Sequence, residues 1–178
     1  MASLIPVTTT RIGDHLPLLD LLTSDAPLSW VRNGEGLVGW GVHATTTVSG
    51  KERFEKAREW WHHQLETFAI SDSVHASGTG PVLFTSFSFD RNEESVLVIP
   101  KVVVGQKGSQ SWITWIGDMP QPVLPEVSAH YSQATFTYSD GSITSDAWKE
   151  RVAEAIKRIE TSGVDKVVLA RDLVATST

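Results

Sequence analysis

The chain has no cysteine, which excludes disulfides and thiolate chemistry. No apolar run approaches the roughly 18 residues that a membrane-crossing helix needs. The first thirty residues also lack the charged start and apolar core of a signal peptide, so a cytoplasmic protein is expected. Positive charge is scarce: 15 lysines and arginines stand against 21 acids, a formal net charge of -6. No basic stripe is available to displace counterions from phosphates, and neither nucleic acid nor a membrane is expected as a partner. Tyrosine is nearly absent, at two residues against seven tryptophans. Trp60, Trp61, Trp112, Trp115 and Trp148 lie in amphipathic segments, where core or lid packing is favoured over a ligand cage.

What is present is ordinary for a globular protein: 178 residues, 40% hydrophobic and 20% charged, enough for a sizeable core. Asn33-Gly34 between Trp30-Val31-Arg32 and Leu37-Val38 predicts a hairpin, because a type I′ turn needs positive φ at both central residues. Gly34 to Gly39 also fits the spacing GxGxxG. That motif binds a pyrophosphate only where a helix begins inside it, and Trp40-Gly41-Val42-His43 reads as strand. Ser49-Gly50-Lys51-Glu52 reads as a capping box opening a helix, with Phe54, Ala57, Trp61, Leu65 and Phe68 as its apolar face. His62 and His63 within it pair with Glu66 and Glu59 at i,i+4 spacing, but without a second histidine partner these read as solvated surface pairs.

Ser71 to Thr79 reads as a loop, Val82 to Phe89 as a strand, and Val96 to Ile99 and Lys101 to Val104 as strand with Pro100 between them, which should force a bulge, bend or edge. Ser111 to Ile116 completes an antiparallel meander. Pro120, Pro122 and Pro125 mark a connector that cannot be helix or central strand. Val127 to Tyr138 should be extended, and Ser145 should cap a helix with Trp148, Val152, Ala155, Ile156 and Ile159 on one face. The expected class is α+β, an antiparallel meander with packed amphipathic helices. The divisions are a scaffold over 1–117, a connector over 118–144, and the start of a further domain over 145–178.

After Gly163 comes Val164-Asp165-Lys166-Val167-Val168-Leu169-Ala170-Arg171, which reads as a short strand buried on both faces with one lysine inside it. Lys166 is either a gatekeeping charge with its ammonium in solvent or a partly desolvated amine able to act as a general base, and spacing alone leaves both open.

This run resembles the lysine-bearing signature of the chorismate-utilising enzymes, in the form typical of isochorismate synthases. Trp30 to Gly41, Gly78 to Asp90, Ser95 to Gly105 and Trp112 to Gly117 resemble, in order and spacing, the amino-terminal part of the menaquinone-type enzymes. The resemblance implies that Lys166 activates the water that attacks the chorismate ring, since relatives that use ammonia carry glutamine there. It also implies Mg²⁺ as cofactor, and menaquinone or siderophore synthesis as the pathway. Salicylate synthase, which adds pyruvate elimination, is the neighbouring activity. Arg171 either touches substrate or only holds Asp165 or a backbone carbonyl, with the structural role favoured.

The family's general acid and its Mg²⁺-binding glutamates are expected after this stretch. Glu93-Glu94, Asp118 and Glu126 form no credible substitute. The chain is therefore expected to be an inactive fragment whose unpaired strand edges favour self-association, or else a scaffold that kept only the amino-terminal fold.

Overall fold

The computed structural model describes residues 3–13, 16–22, 27–125 and 135–177. The chain divides into two compact units, Met1–Ala129 and His130–Thr178. Among the described residues no helix is long and apolar enough to cross a membrane.

The first unit is built on a seven-stranded sheet. Its elements are β1 (Ile5–Gly13), a 3-10 turn (Leu18–Leu21), β2 (Leu28–Arg32), β3 (Glu35–Val48), α1 (Arg53–Glu66), β4 (Phe68–Asp72), β5 (Phe84–Ser86), β6 (Ser95–Lys107) and β7 (Gln110–Ile116). The strand order is β2-β3-β6-β7-β1-β4, with β5 also paired to β6. The hairpin β2–β3 turns at Asn33 (φ 54°) and Gly34 (φ 80°), the two positive values that the Asn-Gly pair predicts.

The α+β class is as expected, but the sheet is mixed rather than a pure antiparallel meander. β1 runs antiparallel to β7 and parallel to β4. The sequence assigns β4 to the end of a helix and the start of a loop. Helix α1 stops at Glu66 because the Thr67 hydroxyl bonds the Gln64 carbonyl at 2.7 Å, and the Thr67 carbonyl takes the Ile5 amide at 2.8 Å. Phe68 is then drawn into a core with Val7, Ile99 and Ile116, and the following residues pair with the open edge of β1.

The capping box does not form. Gly50 and its neighbours make a turn whose carbonyl receives the Arg53 amide and guanidinium, and Glu52 caps the helix without a side-chain bond. Ala57 is buried and Trp60, Trp61 and Leu65 pack on the sheet, whereas Phe54 stays half exposed against Phe87, 4.6 Å between ring centroids. The strand expected over Val82 to Phe89 shrinks to three residues.

Pro100 does not break β6. The irregularity falls on β3 instead: Val42 pairs Pro100 and Ala44 pairs Ile99, so His43 is the extra residue of a bulge. On its other edge β6 pairs β5 up to Val98 and β7 from Val102, so Pro100 sits in the gap where no ladder needs its missing N–H. The His43 side chain lies 5.4 Å from the Phe68 ring, and burial followed by the nearby Lys101 charge pushes its pKa down.

Both faces of the sheet are covered. Val38, Val102, Val104, Ile113 and Trp115 pack against Leu18 and Leu21, and Val7, Ile99 and Ile116 pack against α1. One close approach sets the middle. Gly105 pairs with Trp112, and a Cβ at Gly105 would lie 2.3 Å from the Trp112 ring, so the indole occupies the space a side chain would take.

The second unit holds β8 (Phe136–Asp140), α2 (Ser145–Thr161) and β9 (Leu173–Ser177), with β8 and β9 antiparallel. The cap of α2 is Thr144, one residue before the expected Ser145; its hydroxyl accepts the Ala147 amide at 3.3 Å. No residue of α2 is buried within the unit. Of the extended segment expected over Val127 to Tyr138, 127–134 lie outside the described residues, and Phe136 onward is strand.

Gly105→Ala should cost about 3 kcal/mol in denaturant unfolding, because its Cβ would collide with the ring of the buried Trp112. Gly163→Ala, where a Cβ meets nothing within 4 Å, is the control and should be near neutral. Equal effects would contradict the packing.

The Asp72 carboxyl gives a pH-dependent counterpart. Burial raises its pKa, but bonds from the Thr79 hydroxyl and the Val74 and His75 amides outweigh burial and hold it below the usual carboxylate range. Its stabilisation is therefore complete above about pH 4 and is lost as pH falls through the lowered value. Asp72→Asn should flatten the acid limb of stability and cost about 2 kcal/mol at neutral pH. An unchanged acid limb would contradict this.

Candidate functional site

Lys166, the predicted general base, lies in the second unit between α2 and β9. The strand expected over Val164 to Arg171 does not form, and it is not buried. Lys166 and its neighbours from Gly163 to Ala170 are exposed, Val168 to 80%. The reason is the register of the one ladder in this unit. β8 is five residues long and all five pair with Leu173 to Ser177, so pairing begins seven residues beyond Lys166. A strand exists through a partner, and the backbone from 164 to 170 meets none among the described residues. Lys166 itself is exposed to solvent in this chain.

The register itself is held by the residues just after that run. The Arg171 guanidinium pairs with the Asp140 carboxylate at the end of β8, and the Arg171 side chain is only 18% exposed. Its partner here is Asp140 rather than Asp165 or a carbonyl. Asp172 accepts the Ser142 amide at 2.9 and 3.0 Å and the Ser142 hydroxyl at 2.5 Å. The hydroxyl bond first, then the amide bonds, lower the Asp172 pKa. Gly141 lies between these clamps, where a Cβ would fall 2.3 Å from the Asp172 carboxylate. The sequence signals Arg171 but not Asp140, Gly141 or Asp172, because the pairing joins residues some thirty positions apart.

The scattered acids and histidines do not assemble. Glu93 takes the Ser88 hydroxyl at 2.8 Å, Glu94 takes the Thr47 hydroxyl at 3.3 Å, and His63 stands 3.7 Å from Glu66 with both side chains exposed. Glu126 lies outside the described residues. Among the described residues no three of His, Cys, Asp or Glu gather as a metal would require. Those residues therefore do not fit the implied Mg²⁺.

A family profile described as chorismate binding enzyme matches residues 28–178. The chain is also 27% identical, over 170 residues, to isochorismate synthase MenF of Bacillus subtilis (strain 168), an alignment that covers 79% of this chain and 36% of that protein. The chain thus spans about a third of the length of the curated relative it matches. No solved structure matches. The profile takes in β2 through β9, hence most of the sheet, both helices and the lysine-bearing run, and the chain belongs to the chorismate-binding enzyme family.

Proposed function

We propose that the protein to which this chain corresponds is an isochorismate synthase, and that Lys166 is the base for its water. The observation that carries the reading is the family match extending through Lys166, together with the likeness to an isochorismate synthase. In the reaction the Lys166 amine takes a proton from water. The oxygen of that water bonds to the ring carbon adjacent to the carboxylate-bearing one, the two ring double bonds shift, and the departing hydroxyl leaves as water after a general acid protonates it. Atoms and charge balance without a redox partner. An amine acts as base only in its neutral form, so the exposed Lys166 of this chain has to lose solvent before it can serve. The resemblance favours menaquinone synthesis, with siderophore precursors second.

The exposure of Lys166 favours one companion reading: the 178-residue chain by itself has no turnover. Salicylate synthase shares the lysine and differs in product.

In the complete protein, Lys166→Ala should lower kcat for chorismate by about a thousandfold or more while the circular dichroism spectrum stays unchanged. Chromatography should show isochorismate as the product. Undiminished activity in the variant would remove Lys166 from the chemistry, and salicylate with pyruvate would move the assignment to the neighbouring activity.

A further inference from the structure

Four residues stand directly opposite one another across four adjacent strands: Trp30 on β2, Leu37 on β3, Gly105 on β6 and Trp112 on β7. The Trp112 indole lies over Gly105 and donates its N–H to the Gly78 carbonyl at 3.2 Å, which pins the turn at Gly78 above one end of this row. Trp30 at the other end remains 76% exposed. Between the β2–β3 hairpin and the segment 77–85 the row floors a groove in two halves that meet at Trp30 and Leu37.

The first half encloses about 600 Å³, and its rim carries Arg32, Lys107, Asn33 and Ser77. Glu35 also borders it, but one of its carboxylate oxygens is committed to the Gly108 amide at 2.9 Å. Among the described residues neither Arg32 nor Lys107 has an acid within ion-pair distance. The second half encloses about 360 Å³ and continues over the same tryptophan and leucine to Val82, Leu83 and Phe84, with no charged side chain in its wall. One end therefore carries two cations against one partly occupied carboxylate, and the other is walled mainly by Val82, Leu83 and Phe84 with the uncharged Ser29 and Thr85 beside them.

We propose that this groove binds an amphipathic monoanion, a carboxylate head on a hydrocarbon tail. The head sits at the end that Arg32 and Lys107 border, where the planar guanidinium matches a carboxylate. The tail crosses the open face of Trp30 and Leu37 and ends against Leu83 and Phe84, removing apolar surface from water at both partners. The surplus of one positive charge suits a single negative head rather than a dianion. The proposal is independent of the role of Lys166.

The test is titration of the 178-residue chain with decanoate below its micelle concentration, followed by calorimetry and by the indole N–H resonances. Decanoate should shift the Trp30 resonance and leave that of the buried Trp115 in place. Acetate, which lacks the tail, and decanol, which lacks the charge, should each bind about tenfold more weakly or worse. The Arg32→Ala, Lys107→Ala double variant should lose about tenfold in decanoate affinity and keep its decanol affinity. Val82→Trp, which fills the apolar half, should cut decanoate binding to the level of acetate. Both variants alter the groove wall rather than the core, and an unchanged amide spectrum outside the groove verifies their fold. The proposal is overturned if decanoate leaves Trp30 unmoved, if the double variant binds decanoate as the parent does, or if benzoate binds more tightly than decanoate. Because the readout is binding, none of these outcomes bears on isochorismate formation.

Discussion

The first unit depends on the pairing of β6. Its thirteen residues bond β3 along one edge and β5 and β7 in succession along the other, so every later layer is placed against it. Leu97, Ile99 and Val104 on this strand are fully buried, the first two on the face that α1 covers and Val104 on the face that Leu18 and Leu21 cover. Two sites on β6 and one on β3 accommodate the constraint. Pro100 falls where neither outer partner needs its N–H, His43 across from it absorbs the register change, and Gly105 makes room for Trp112. Losing any of these moves several strands at once, because interiors at crystal-like packing density transmit strain.

Some of this architecture is legible in the sequence and some is not, for identifiable reasons. Asn33-Gly34 predicts its hairpin because the turn chemistry is local. The two helices announce themselves by apolar spacing, and α2 begins within one residue of expectation. β4 escapes, since Phe68 to Asp72 becomes strand only through the open edge of β1, more than sixty residues earlier in the chain. The capping box fails for a similar reason. Its glycine is held by the Arg91 carbonyl at 2.6 Å, a contact that no reading of Ser49 to Glu52 contains. Pro100 is correctly read as a disturbance but assigned to the wrong strand, because the sequence does not show which neighbour yields.

The lysine-bearing run shows the same limit at the site itself. Val164, Val167, Val168 and Leu169 have the composition of a strand covered on both faces, yet they are 40% to 80% exposed here. Burying an apolar side chain is favourable by about 25 cal/mol per Å², so such a run gains its full stability only when partners lie on both sides. Among the described residues of the second unit β9 pairs with β8, a pairing clamped by Arg171 to Asp140 and by Asp172 to Ser142. The resemblance identifies Lys166; the local structure shows the unshielded form of the segment that carries it.

Hydrogen exchange on the 178-residue chain tests this account most directly. Amides of Val102 to Val104 and Ile113 to Trp115 should be the slowest, opening only with global unfolding of the first unit. Amides of Val167 to Ala170 should exchange near the rate of an unstructured chain. Strong protection across Val167 to Ala170 would mean that the run is a paired strand in the isolated chain, and the exposed Lys166 described above would be wrong.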